Sequence, residues 1–421
     1  MTLIQEAPQT YASDYTTQHA RFAEIFARIG EGSRERDFER ILPFEQVAWL
    51  NEAGFSALRV PVEFGGAGVS IETFTRLLID LAAADSNVAH LYRSHFGFIE
   101  SLQWKNDEVS RRWYELAVAG KTVGNASTER GGNALGRLNT VLSKQNDGWV
   151  LNGEKYYTTG TIFSDYTRVS AGLDGEDGRT FAVVGTKAVG VNIVDDWDGF
   201  GQRLTGTGTT SFKNVQVANE DIFDRVAGGA EGTHEAAFFQ LVLLAVLAGI
   251  ARAARDDASE SVAKRARTFN TGSGLPFRED PLIQETVGRI ATKAFSAEAI
   301  VLAAARSLDI ALEVSLLQDT DEHGNRATTI QGHHAELAVE QAQVAVPELA
   351  IGAAAQLFET GGASATSTSK GLDRHWRNAQ TVATHNPISF RARSIGDFFI
   401  NGTLPEGLTA IGDAFKKAQA N

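Results

Sequence analysis

Two short segments carry side chains suited to edging a flat ring that has polar atoms along one side. Asn125, Ala126, Ser127 and Thr128 form the first, and Tyr157, Thr158 and Thr159 form the second. Amides, hydroxyls and backbone N–H groups at this density can bond ring nitrogens and carbonyls, while an aromatic supplies a stacking wall. Taken alone, these residues read more readily as ordinary strand hydroxyls satisfied by their neighbours. Other chemistry has weaker support. No cysteine is present, which removes thiolate metal sites, thiol nucleophiles and disulfides together. Asp319 to Asn325 begins like a calcium loop, but Ile330 stands at its twelfth position, where a glutamate is needed. His333 and His334 are adjacent on an expected helix and point about 100° apart, so they cannot chelate together. The glycine-rich run at 206–211 lacks the third glycine of a dinucleotide fingerprint, and no G-x-x-x-x-G-K-[ST] loop occurs.

The elements that must position these segments fall into three blocks. Residues 1–118 show apolar residues three and four apart, which predicts helices. Residues 119–225 turn to short alternating runs punctuated by Gly, Asn and Asp, which predicts a small antiparallel β-domain. Residues 226–421 return to long Ala- and Leu-rich helical patterns, broken by polar connections at 269–281 and 318–332 that are long enough to be lids or interface elements. Helix, sheet and helix in this order place a cleft at the junction, where ligands commonly bind.

Composition narrows the function further. The net charge of −13 leaves no basic run to neutralise phosphates, so nucleic acid and anionic membrane surfaces are poor partners. Residues 236–251 are the most apolar stretch, interrupted by Gln240 and followed by Arg252 and Arg255. A membrane span needs about 20 apolar residues, so this segment is expected as a helix buried inside a soluble protein. The first residues lack the basic and apolar regions of a signal peptide.

Four motifs then occur in order. Arg59-Val60-Pro61-Val62-Glu63-Phe64-Gly65-Gly66-Ala67-Gly68 is the first, and Gly124 to Glu129 is the second. Leu151-Asn152-Gly153-Glu154-Lys155-Tyr156-Tyr157-Thr158-Thr159-Gly160 is the third, and Gly201-Gln202-Arg203 with Thr205, Phe212 and Val215 to Val217 is the fourth. Together they resemble the acyl-CoA dehydrogenase superfamily. The resemblance implies an N-terminal helical domain, a middle antiparallel β-domain and a C-terminal four-helix bundle around a flavin. In it, Asn125, Ala126, Ser127, Tyr157, Thr158 and Thr159 bind the flavin ring. Arg267 and, less directly, Ser364 and Thr366 reach its phosphate, the arginine across a subunit interface.

The dehydrogenases of that superfamily abstract a proton with a glutamate near the C-terminus. Asn386 falls at that position here, and it has no titratable group to act as a base. The alternative position on a central helix falls near Phe239, so it is vacant as well. Asp373-Arg374-His375-Trp376-Arg377-Asn378 and His385-Asn386-Pro387 resemble instead the flavin-dependent (group D) monooxygenase branch, that of the dibenzothiophene monooxygenases. Gly124 to Glu129, Ala82 to Leu91 and Asp195-Asp196-Trp197 extend the match.

Enzymes of that branch take reduced FMN from a separate NAD(P)H:flavin reductase, add O₂ at the flavin C4a carbon as a hydroperoxide, and transfer one oxygen atom. The resemblance implies a cytoplasmic homotetramer with His90 and His385 as catalytic histidines and Asn125 and Thr159 as their hydrogen-bonding neighbours. Imidazole suits such a site because it donates, accepts and shuttles protons near pH 7. Ser94, Val382 and Asn386 are expected in the substrate pocket. Ser94 stands where the branch has tyrosine, Val382 where it has a second histidine, and Thr159 where it has serine. Substrate therefore stays open among small organosulfur compounds, aromatic heterocycles and amines. Two rivals remain: an atypical acyl-CoA dehydrogenase holding FAD, with its base elsewhere, and a flavin-binding protein without catalysis.

Overall fold

The computed structural model describes residues 14–105, 107–131, 138–145, 148–174, 179–224 and 228–405. The signal-peptide question concerns residues 1–13, which lie outside the described residues. The N-terminal part comprises α1 (Tyr15–Glu31), α2 (Ser33–Glu39), α3 (Phe44–Glu52), α4 (Ile71–Ala84), α5 (Ser86–Leu91), α6 (Arg93–Leu102) and α7 (Glu108–Val118). The strands are β1 (Val123–Ala126), β2 (Val141–Gln145), β3 (Gly148–Lys155), β4 (Tyr166–Leu173), β5 (Thr180–Gly185), β6 (Val191–Val194), β7 (Thr209–Val217) and β8 (Ile222–Asp224). The C-terminal part holds α8 (Gly229–Lys264), α9 (Pro281–Leu316), α10 (Ile330–Gln356), α11 (Asp373–Ala383) and α12 (Ile388–Asn401).

Local chemistry explains where the site-bearing helices begin. Ser70 accepts the Thr73 N–H at 3.0 Å to start α4, and Asp85 accepts the Asn87 N–H at 3.0 Å to start α5. Phe74, Leu77, Leu78 and Leu81 then share the buried face of α4, which packs on α8. The turn that begins at Arg59 ties the two helical parts together. Arg59 donates twice to Glu100, at 2.9 Å each, and His234 of α8 meets the same carboxylate at 2.9 Å. Within that turn, a Cβ on Gly66 would lie 2.1 Å from the Val60 carbonyl oxygen, so no larger residue fits.

The sheet runs β6-β7-β3-β2-β4-β5-β8, with β1 beside β4. Most pairings are antiparallel, as expected, but β1–β4 and β2–β4 are parallel. Long connections separate both parallel pairs in the chain, and such connections permit parallel pairing where a tight hairpin does not.

The C-terminal helices α8, α9 and α10 pack lengthwise, and the shorter α11 completes the bundle against α8 and α10. The apolar segment at 236–251 is the middle of a 36-residue helix. By length and composition α8 could cross a membrane, but 78% of its most apolar window is buried within the protein. Each leucine or valine so buried contributes about 1.5–3 kcal/mol. By contrast α12 has no buried residue, and its Phe390, Phe399 and Ile400 are 68%, 67% and 80% exposed.

Candidate active site

A cavity of about 680 Å³ opens where α5, α6, α8 and the end of α11 meet the sheet. His90, in the last turn of α5, is buried in its wall. Its Nδ1 donates to Gln202 Oε1 at 3.1 Å. Gln202 is itself held: its Nε2 donates to Ser86 Oγ at 3.1 Å, and its backbone N–H donates to Asn378 Oδ1 at 2.7 Å. A proton on Nδ1 leaves Nε2 of the neutral ring as an acceptor. Burial, reinforced by nearby Arg93, pushes the His90 pKa down to about 4. His385 follows α11 with its ring open to the cavity. The residue is exposed at the cavity, and the surrounding protein, then Arg93 and His90, hold its pKa below the ordinary histidine value. Both imidazoles are neutral at pH 7.

The opposite wall comes from the sheet. Asn125 and Ser127 line it, with Ser127 Oγ donating to Asn125 Oδ1 at 3.0 Å. Tyr157 to Thr159 lie beyond the end of β3 and are not on a strand paired with β1. One bridge joins the segments, the Tyr156 N–H donating to the Thr128 carbonyl at 2.8 Å. Tyr157 adopts φ 60°, the left-handed region that costs a non-glycine residue energy, and its ring is presented to the cavity 5.9 Å from that of Trp197. Thr159 Oγ1 sits 2.7 Å from Thr207 Oγ1, which continues to Thr205 at 2.8 Å.

Buried ions fix these segments. Glu129 accepts from Lys155 Nζ at 2.7 Å and from the Asn139 and Thr140 N–H groups at 2.8 and 2.9 Å. Burial alone would raise the Glu129 pKa, yet those bonds bring it down to about 2, while burial lowers Lys155 to about 8. Both partners are ionised at pH 7. The Asp195-Asp196-Trp197 run has a similar logic. Asp195 takes two bonds from Arg40 at 2.8 Å each, and Asp196 takes the Thr209 N–H and hydroxyl at 2.7 Å each, which sets Trp197 against the cavity.

Several expected residues lie elsewhere. Ala126 is wholly buried in the core of the sheet, because strand alternation turns its side chain away from the Asn125 face. Thr158 is buried too, donating to the Gly208 carbonyl at 2.9 Å and accepting from Thr210 at 2.8 Å, so its side chain does not reach the cavity. Ser94 lines the cavity, but Val382 does not. On α11, Thr381, Thr384 and His385 share the cavity face, and Val382 turns about 100° away into the bundle core. Asn386 donates to Gln240 Oε1 at 2.8 Å and borders a separate space of about 20 Å³, room for little more than a water. Arg267 and Ser364 are exposed and outside the cavity wall of their own chain.

Three features were not anticipated from the sequence. Gln202 stood in a recognised motif without a role. Arg93 follows His90 by three residues, the helical spacing that puts two side chains on one face, and this was the available signal. The third is a carboxylate one turn before Phe239. Among the described residues Glu235 is the one carboxylate of the cavity wall, and Arg168 binds it at 2.7 Å.

A flavin ring fits this arrangement: amide and hydroxyl groups edge one wall, Tyr157 and Trp197 offer faces, and the volume suffices. Family models decide the kinship. The acyl-CoA dehydrogenase N-terminal domain matches residues 18–142, the middle domain 125–215 and the C-terminal domain 241–390. The chain belongs to the acyl-CoA dehydrogenase family. Several of its relatives within that family are monooxygenases, and another is a 3-(aryl)acrylate reductase. A probable FMNH2-dependent monooxygenase of Pseudomonas putida is 27% identical over 390 residues, covering 91% of this chain and 94% of the relative. A dibenzothiophene monooxygenase of Mycolicibacterium goodii is 27% identical over 369 residues, covering 85% and 87%. The dibenzothiophene monooxygenase of Paenibacillus sp., solved with FMN and indole, superposes with a TM-score of 0.82 at 25% identity over 93% of this chain and 99% of that one. The methanesulfinate monooxygenase of Pseudomonas fluorescens gives 0.83 at 25% identity over 93% and 98%.

Proposed function

We propose that this chain is the oxygenase of a two-component, reduced-FMN-dependent monooxygenase acting on a small organic molecule, an organosulfur compound or an aromatic heterocycle. The observation that carries this is the placement of His90 and His385 on one cavity whose one described carboxylate is tied to Arg168. Proton abstraction by a free carboxylate, as in the dehydrogenases, has no agent there.

When bound, reduced FMN supplies the two electrons with which O₂ gives one oxygen atom to substrate and the other to water. The remaining roles belong to the protein. Asn125, Ser127 and Thr159 bond the polar edge of the ring, and Tyr157 and Trp197 cover its face. His90 Nε2 accepts or returns a proton at the oxygen-transfer locus, with Gln202 fixing the tautomer. His385 does the same from the other side. Phe239 and Phe181 keep water out, which protects the reactive oxygen from wasteful loss.

Oxidised FMN is recharged by an NAD(P)H-dependent reductase acting as a separate partner, and this need for NAD(P)H favours the cytoplasm. The uncovered α12, with three large apolar residues exposed, favours self-association, here proposed as a homotetramer. In that assembly Arg267 and Ser364 serve a neighbour's phosphate. The direct test is turnover of a sulfide and sulfone panel under labelled O₂ with NADH, a flavin reductase and FMN. One labelled oxygen atom in the product is expected. Reduction of bound flavin by an acyl-CoA without oxygen would instead indicate a dehydrogenase.

A further inference from the structure

The charge of the cavity is opposite to that of the protein. The chain carries −13 overall. Among the described residues, however, the cavity wall holds Arg93, Arg168 and Arg179 against the single carboxylate Glu235. Arg168 is spoken for by Glu235 at 2.7 Å and lies over the Phe181 ring at 3.9 Å.

Arg93 is different. It opens α6, three residues after His90, and lines the cavity close enough to His90 and His385 to act on the charge of both. Its Nε donates to the Phe239 carbonyl at 3.0 Å, and its guanidinium lies 4.8 Å from the Phe239 ring centre. Gly97 makes room for that ring: a Cβ there would stand 2.3 Å from it. No carboxylate among the described residues lies within ion-pair distance of Arg93. Arg93 lines the cavity, and its two terminal nitrogens make no hydrogen bond to a described residue. Beside them, the Ser94 hydroxyl also lines the cavity without a hydrogen bond to any described residue. A partly buried guanidinium held by its inner nitrogen, with its outer fork directed into a pocket, is built to take a planar or tetrahedral oxyanion in two parallel bonds.

We infer that the oxygenated substrate is an organic anion, a carboxylate, sulfinate or sulfonate, whose charged group is bound by Arg93 and Ser94 between His90 and His385. That the bound anion is a substrate rests on the monooxygenase proposal, but the anion site stands or falls on binding alone. A neutral molecule would leave Arg93 desolvated and unpaired, so the site discriminates by charge as well as by shape. The position beside both histidines assigns this arginine to substrate, whereas the amide and hydroxyl wall faces the flavin ring.

The test is calorimetric titration of the FMN-loaded protein with benzenesulfonate and with methyl phenyl sulfone, a neutral molecule of nearly the same shape. Benzenesulfonate is expected to bind at least about ten-fold tighter. Arg93→Met should erase the difference, and Arg93→Lys should retain part of it, both with unchanged FMN affinity as the check on folding. Equal binding of the two probes by the unmodified protein overturns the inference. So does an Arg93→Met protein that keeps the preference, or one whose FMN affinity falls while the preference persists, since Arg93 would then serve the flavin. Charge-selective binding without any oxygen transfer supports the anion site and removes the monooxygenase proposal instead.

Discussion

His90 Nδ1 and Gln202 Oε1 lie 3.1 Å apart, and that contact joins the N-terminal helices to the loop between β6 and β7. It also decides which ring nitrogen of His90 is free. Because Ser86 and Asn378 hold Gln202 from two further directions, the tautomer is set by three separate elements of the fold.

Gln202→Leu should therefore act through His90. Loss of the tautomer lock is expected to lower product formation by roughly ten-fold, less than the loss of a general acid–base group itself, which contributes about 10²–10⁴-fold. FMN affinity should hardly change. Gln202→Glu, which keeps an acceptor for Nδ1–H, should recover part of the rate. Steady-state turnover and flavin titration on the two variants distinguish this from simple misfolding.

His385→Ala should lower the yield of oxygenated product per NADH consumed while FMN still binds. The measurement is the ratio of product to hydrogen peroxide. Weakened FMN binding together with normal coupling in the loaded fraction would reject a catalytic role for His385.

Acid should destabilise the fold through histidines buried as neutral rings. His90 and His95 are both depressed to about 4 in the fold by burial, whereas the unfolded chain protonates near 6.5. Between those values the unfolded state binds more protons, so stability falls as pH drops from 6.5 toward 4. The loss approaches about 3 kcal/mol for each histidine at the lower end. Urea titrations at pH 7 and pH 5 measure it, and His95→Gln should flatten the dependence.

The Lys155–Glu129 pair predicts a structural effect at the flavin wall. Lys155 is fully buried, and Glu129 also holds two backbone N–H groups. Lys155→Met strands that carboxylate and should cost about 3–5 kcal/mol, read as a lowered urea midpoint. FMN binding should weaken with it, because Ser127 loses a bond from the same ammonium.

Much of the fold could be read from sequence because the motifs mark tight places. Gly66 against Val60, Lys155 against Glu129 and Arg59 against Glu100 are steric or ionic requirements that leave few residue choices. The change of period from helix to strand carried the inserted sheet in the same way. Facing was harder to read. Thr158 and Ala126 share segments with cavity residues yet point into the sheet, since the path of an irregular loop past β3 is not written in its composition. Val382 was misplaced by one residue of helical rotation. Gln202 is not legible as a site residue because its significance lies in a partner more than a hundred residues away, His90, whereas Arg93 offers only its three-residue spacing from His90 as a signal.

The most direct test is stopped-flow absorbance after mixing the protein and anaerobically reduced FMN with oxygenated buffer. A monooxygenase should delay the return of oxidised flavin and show a transient spectrum that belongs to neither the reduced nor the oxidised form, decaying faster when substrate is present. Single-phase reoxidation at the rate of free FMN, unaffected by the protein, would contradict the proposed function.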